Sequence, residues 1–178
     1  PTYTPAPATL ASPTPRFDAP RAVVDHYAFG RPFPRDPNNL VQDFAARNYP
    51  YGSTSYGGLA THHGIDIQNP HGTPVLAVAD GTVEKLFDSV RGGLTVYQFE
   101  PSGRYCYYYA HLDRYADGLA EKKTIKRGEV IGYVGSTGNA SPDAPHLHFE
   151  IHVLGPEKQW WKGESINPYP VLKGQQAL

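Results

Sequence analysis

The chain has 178 residues and a formal net charge of −1, from 16 Lys and Arg against 17 Asp and Glu. This length is enough for one globular domain with its own core. The near-neutral balance lacks the basic surplus that nucleic acids and anionic membranes select, so no nucleic-acid partner is expected. No apolar run reaches the roughly 18 residues of a membrane span, and the single Cys106 cannot form an internal disulfide.

The first 20 residues contain six prolines and predict a semi-rigid linker or stalk, with a frayed chain end as the alternative. Residues 21–178 then form the predicted domain. Because no initial Met is present, we expect a processed or trimmed chain whose missing N-terminus carried a signal peptide or a membrane anchor.

After the linker, the sequence predicts one short helix and then mainly β-strands. Leu40, Val41 and Phe44 have helical spacing and indicate one short helix over 39–48. An Asp80-Gly81 turn between two β-rich runs predicts a hairpin of Val75–Ala79 with Thr82–Phe87. The pattern predicts an antiparallel β-sheet or sandwich with a groove and little helix. Its later strands are expected at 94–100 and 104–112, which form a second hairpin, within 126–138, and at 146–154.

The strand from His146 to Val153 alternates between polar and apolar side chains. Successive side chains of a strand point to opposite faces of the sheet. The apolar members, Leu147, Phe149, Ile151 and Val153, are therefore predicted to enter the core. The polar members share the other face, and they are His146, His148, Glu150 and His152.

The same alternation applies to residues 105–112. It predicts one face of Tyr105, Tyr107, Tyr109 and His111, and Cys106 on the other face as a small buried side chain. The tyrosine row would form a groove wall beside His111. The alternative is that tyrosine is simply common in strands.

A third histidine cluster lies at His62-His63-Gly64-Ile65-Asp66. In an extended strand, positions i and i+4 are roughly 13 Å apart, which is far for two ligands of one ion. Gly64 permits a bulge or bend that brings His62 and Asp66 closer. Two imidazoles and a carboxylate suit a catalytic zinc with one open position. We therefore favour a mononuclear metal site over scattered surface histidines.

Three segments, HHGIDIQNPHGTPVLAVADGTV, YAHL and GYVGSTGNASPDAPHLHFEI, resemble the LytM/lysostaphin-type zinc metallopeptidases, peptidase family M23. The resemblance covers about residues 61–153. It implies a LytM-type domain with one Zn²⁺ per chain, bound by His62, Asp66 and His148, and with His111 and His146 as catalytic histidines. It also implies an endopeptidase of bacterial peptidoglycan peptides that works outside the cytoplasm.

Several alternatives stay open at this stage. No HExxH motif is present, so His111 and His146 must share the proton transfers, in an unassigned order. Glu150 is either a hydrogen-bond partner of a metal ligand or an exposed strand carboxylate. Loops 49–60 and 135–145 are expected to form the groove rims.

The competing function is a non-hydrolytic or latent regulator of other wall hydrolases on the same fold. In a latent state, an asparagine of the 35–60 segment would supply a fourth metal ligand. The remaining histidines, His63, His71 and His152, are expected to be ordinary polar surface, with His63 pointing away from the metal.

Overall fold

The computed structural model describes residues 54–55, 60–61 and 63–172, together with positions 176 and 178. The predicted linker 1–20, the helix 39–48 and most of the loop 49–60 lie outside these residues. Within the described part of the chain, no helix is long and apolar enough to cross a membrane. The elements, in chain order, are β1 Thr54–Ser55, β2 Ala60–Thr61, β3 Ile65–Gln68, β4 Pro74–Leu76, β5 Gly81–Ser89, β6 Gly93–Phe99, β7 Tyr105–Tyr115, β8 Thr124–Ile125, β9 Val130–Val134, β10 His146–Val153, β11 Glu164–Ile166 and the helix α1 Pro168–Leu172.

Nine of these strands form one antiparallel sheet, and β1 and β2 pair separately. The sheet follows the order β11-β10-β7-β6-β5-β8, with β3 beside β10 and with β9 between β7 and β4. Strand β10 is central, because it pairs with β7 along one edge and with β3 and β11 along the other. The predicted mainly β, antiparallel fold class is confirmed.

The two predicted hairpins have different outcomes. Strands β6 and β7 pair as expected across the 100–104 turn. The first hairpin is wrong, because β4 pairs with β9 whereas β5 pairs with β6 and β8. The chain does not reverse at Asp80, since the backbone of Ala77 is already bonded to Gly128 and Glu129, and the Asp80 carboxylate accepts the Arg127 backbone N–H. Asp80 lies in a bend and Gly81 already begins β5, so the expected turn does not form, and a distant segment provides the pairing partner of β4.

The core lies beneath the apolar face of this sheet. The predicted alternation of β10 is confirmed for Leu147, Phe149 and Ile151, all fully buried, although Val153 at the strand end is exposed. Ile65 and Ile67 of β3 are buried on the same side. Apolar burial of this kind contributes roughly 25 cal/mol for each Å² removed from water, so these strands anchor the sheet.

The tyrosine row predicted to line the groove belongs to the core instead. Tyr107 and Tyr109 are fully buried and pack against Phe149. The hydroxyl of Tyr109 donates to Gln98 and accepts the backbone N–H of Val78, at 2.7 and 2.9 Å. These bonds allow a phenol to be buried, because a buried polar group without partners is costly. Cys106 is buried, as predicted.

Strand β7 changes its alternation at a bulge beside His111. Its register with β6 advances from Val96–Tyr109 to Leu94–Leu112, so β7 contains one extra residue there. His111 has a positive φ of 62°, and its backbone N–H donates to the Gly92 carbonyl. A bulge of this kind redirects a side chain. Tyr109 and Leu112 therefore both enter the core, and His111 turns to the opposite face.

The 91–93 turn packs directly on the 137–138 segment near this bulge. Gly93 has φ +65°, and a Cβ there would lie 2.4 Å from the carbonyl carbon of Thr137. We expect Gly93→Ala to lower the free energy of unfolding by about 2–4 kcal/mol, from backbone strain plus the steric overlap. Gly118→Ala is the matched control, because Gly118 has φ +80° with nothing within 4 Å of a Cβ.

The control should lose only about 1 kcal/mol, the cost of the left-handed backbone. Urea denaturation of both variants measures the difference. Equal losses would contradict the packing of Gly93 against Thr137.

Candidate metal centre and active site

The site begins with the pairing of β3 and β10. Asp66 and His148 are cross-strand partners, so their side chains lie on the same face of the sheet. The His148 Nδ1 and Asp66 Oδ1 atoms are 3.0 Å apart. Asp66 is buried, and its neighbours Ile65 and Ile67 enter the core on the other face. Two of the three predicted metal ligands therefore meet.

The predicted catalytic histidines approach the same pair. The Nε2 atom of His146 lies 3.6 Å from Asp66 Oδ1. The ring of His111 is 4.9 Å from that of His146 and 5.9 Å from that of His148, measured between centroids. The bulge in β7 makes this meeting possible, since it turns His111 away from the core. Four of the five predicted site residues thus form one cluster.

Backbone carbonyls of the 135–145 loop orient both of the predicted catalytic histidines. Nδ1 of His111 donates to the carbonyl of Thr137 at 2.7 Å, and Nδ1 of His146 donates to that of Ala144 at 2.9 Å. A carbonyl oxygen only accepts, so each Nδ1 carries the hydrogen. In the neutral rings, the Nε2 atoms consequently have the free lone pair. The predicted rim loop therefore also sets the tautomers of the two histidines.

His148 lies between two carboxylates. Its Nε2 donates to Glu150 at 2.5 Å, while its Nδ1 faces Asp66. Burial alone would lower the pKa of His148, but the hydrogen bonds to these two carboxylates raise it to about 9. Burial would raise the pKa of Glu150, yet hydrogen bonds from His148 and His152 hold it well below its usual range. The site therefore stabilises positive charge at His148, and Glu150 is a buried partner of this ring.

Asp66 and His148 are two donors of the kinds that a tetrahedral zinc uses. Within the described part of the chain, no group of three or more His, Cys, Asp or Glu side chains could hold a metal ion. The third predicted ligand, His62, lies outside the described residues. Two ligands of a tetrahedral zinc with bonds of about 2.0–2.1 Å are about 3.3 Å apart, close to the spacing of His148 Nδ1 and Asp66 Oδ1. The described chain thus supplies one nitrogen and one oxygen donor at suitable separation.

Gly64 lies where the sequence predicts a bend. The chain bends there, between β2 and β3, and a Cβ at this position would lie 2.7 Å from the Glu150 side chain. Only glycine allows this close approach of the segment that carries Asp66 to β10.

Tyr108 lies on the site face. Its ring contacts His148 edge-on and stacks on His152, with both centroids 6.0 Å away. Tyr97 and then Trp160 continue this row of ring contacts, at 4.8 and 4.7 Å. Sequence reasoning assigned Tyr108 to the opposite face from His111, because strict alternation ignores the bulge between them.

The three histidines expected at the surface have different environments. His63 is exposed and contacts Ser165, and His71 is exposed beside Asp113. For His152 the expectation is wrong, since its side chain is only 12% exposed and its Nε2 bonds Glu150 at 2.6 Å. Its position two residues after Glu150 on the polar face was the signal in the sequence.

The model of peptidase family M23 matches residues 60–168, more than half of the chain, and the chain belongs to this family. The peptidoglycan DD-endopeptidase ShyC of Vibrio cholerae is 38% identical over 102 residues, which are 57% of this chain and 22% of that protein. The chain spans 40% or less of the length of the first curated relatives that it matches.

Solved structures agree with the family and with the fold. The catalytic domain of lysostaphin from Staphylococcus simulans superposes with a TM-score of 0.60 at 31% identity, covering 75% of this chain and 97% of that domain. A zinc-containing peptidase from Vibrio cholerae gives a TM-score of 0.52 at 30% identity, covering 60% and 31% of the two chains. The predicted LytM-type fold is confirmed.

The protonation of His111 predicts a pH dependence of stability in the metal-free protein. Burial, with the neighbouring His146, lowers the pKa of His111 from 6.5 to about 4. The unfolded chain therefore takes up this proton first as the pH falls. The stability contributed by the neutral ring is fully present above pH 6.5 and is lost as the pH falls from about 6.5 to about 4. Urea denaturation across this pH range should show the fall in the free energy of unfolding. In His111→Gln, the part of this fall that comes from protonation of His111 should be absent.

If His111→Gln and the parent protein lose the same stability between pH 6.5 and about 4, the pKa of His111 is not lowered in the folded protein.

Proposed function

We propose that this chain is a zinc-dependent endopeptidase that hydrolyses peptide bonds in the stems or cross-bridges of bacterial peptidoglycan. The observation that carries the proposal is the convergence of His111 and His146 on the Asp66–His148 pair. Membership of a peptidase family and similarity to a peptidoglycan DD-endopeptidase support the substrate class. Because peptidoglycan lies outside the cytoplasmic membrane, the proposal places the enzyme there as well.

The proposed metal ligands are His62, Asp66 and His148, for one Zn²⁺ per chain. Zinc held by two nitrogens and one oxygen keeps a fourth position for water, lowers the pKa of that water towards 7 and polarises the scissile carbonyl. The spacing of the Asp66 and His148 donors and the zinc-containing relative support this assignment.

The proton transfers fall to His111 and His146. Both present Nε2 towards the ligand pair, because their Nδ1 atoms are bonded to carbonyls. His111 is neutral at physiological pH, since its pKa is about 4, so its Nε2 can accept a hydrogen bond or a proton from the attacking water. One of the two histidines takes the proton of the water and delivers it to the leaving amine. The other donates from Nε2 to the oxygen of the tetrahedral intermediate in its imidazolium form, because its neutral form keeps its single hydrogen on Nδ1.

Digestion of purified peptidoglycan with and without a chelator tests the proposal. Mass spectrometry should find new amine and carboxyl ends on peptide fragments, with release abolished by the chelator and restored by added zinc. His111→Ala should slow release by about 10²–10⁴-fold, the usual contribution of a general acid or base. His148→Ala should lose both zinc and activity. His71→Ala is the matched control, because this exposed histidine lies beside Asp113, outside the cluster.

Fragments with new sugar ends, or release that continues in the chelator, would contradict the proposal. A zinc-loaded protein that binds peptidoglycan and releases nothing would instead be the non-hydrolytic regulator.

A further inference from the structure

His152 is largely buried on the site face, and among the described residues its polar contact is with Glu150. Its Nε2 lies 2.6 Å from Oε1 of Glu150, and its side chain is 12% exposed. Its Nδ1 is buried and has no hydrogen-bond partner among the described residues. Burying an imidazole with one nitrogen unsatisfied costs stability, so this ring is held in place at a cost. The contact that it gains is the one with Glu150.

Glu150 joins His152 to the proposed ligand His148. Its two oxygens are divided between the rings, with Oε2 2.5 Å from His148 Nε2 and Oε1 2.6 Å from His152 Nε2. The oxygens of a carboxylate accept, so at these distances the Nε2 atom of each ring carries the hydrogen. A bound metal would replace the hydrogen on Nδ1 of His148, and the ring would then keep its hydrogen at Nε2 and offer the Nδ1 lone pair. That atom faces Asp66.

The surroundings of His152 hold its ring against Glu150. Tyr108 stacks on one side, with an interplanar angle of 19°. Gly163 lies on another side, where a Cβ would come within 2.5 Å of the His152 Cβ. The ring therefore has little freedom to rotate away from the carboxylate.

We propose that His152 is a positioning residue, which acts through Glu150 to hold His148 with its hydrogen on Nε2 and its Nδ1 directed to the metal. Carboxylate partners of ligating histidines commonly fix the tautomer and the ring orientation in this way, and removing such a partner weakens metal binding. Here the carboxylate is itself oriented by a second histidine. The inference rests on the proposed zinc site, and it adds a residue that does not touch the metal.

Zinc affinity, measured on the whole chain by competition with a chromophoric chelator, tests the inference independently of peptidase activity. His152→Ala should weaken zinc binding by about 10–100-fold. His152→Gln should restore most of the affinity, because the Gln amide nitrogen can occupy the place of Nε2 and donate to Glu150. His152→Asn should not, since its shorter side chain places the amide near Nδ1. His71→Ala is the control for loss of a surface histidine.

A second measurement reads the tautomer directly. Long-range ¹H–¹⁵N NMR correlations of the zinc-loaded protein should show the His148 hydrogen on Nε2 with a strong hydrogen bond. In His152→Ala this signal should shift, and in His152→Gln it should return.

Unchanged affinity in His152→Ala would overturn the inference and leave the proposed function intact. Equal losses in the Ala, Gln and Asn variants, with an unmoved His148 signal, would assign His152 a purely structural role and overturn it too. A parent chain that binds no zinc would refute the proposed zinc site, and the inference with it.

Discussion

The antiparallel pairing of β10 with β3 on one side and β7 on the other is the constraint on which the whole site depends. This register puts Asp66 beside His148 and Tyr108 beside Glu150. A shift of one residue would exchange the two faces of β10, turning its histidines into the core and exposing Phe149. The packing of the core and the arrangement of the donors are therefore set by the same hydrogen bonds.

Two irregular features, the bulge in β7 and the 135–145 loop, complete the arrangement of side chains on the site face. The bulge at His111 lets one strand supply Tyr109 and Leu112 to the core and a histidine to the site. The 135–145 loop then supplies the carbonyls of Thr137 and Ala144, which orient His111 and His146. A strand of strict alternation would not do both, because its side chains must change face at every residue.

The electrostatic arrangement follows from burying several ionisable groups together. Asp66, His148, Glu150 and His152 alternate between acid and imidazole, and each contact joins opposite types. Such pairing is what makes buried charge tolerable. His111 sits next to this row and bonds the backbone carbonyl of Thr137, and burial lowers its pKa. One face of the sheet thus carries His148, whose positive charge is stabilised by two carboxylates, and beside it His111, which stays neutral and can accept a proton.

The amino-acid sequence alone determined the fold class and the alternating strand His146–Val153, since strand periodicity is a property of short segments. The resemblance to the M23 motifs indicated the four residues of the cluster, whereas strict alternation placed His111 on the face of Tyr109. The sequence also predicted Gly64 as the point of bending. Which strands pair, and where alternation breaks, was decided by tertiary structure. The 75–87 hairpin was wrong because Ala77 and Asp80 bond to the distant 127–129 segment. Tyr108 lies near the site because the register sets it beside Glu150 and the bulge turns His111 to its face, and both depend on contacts between distant residues that no local pattern encodes.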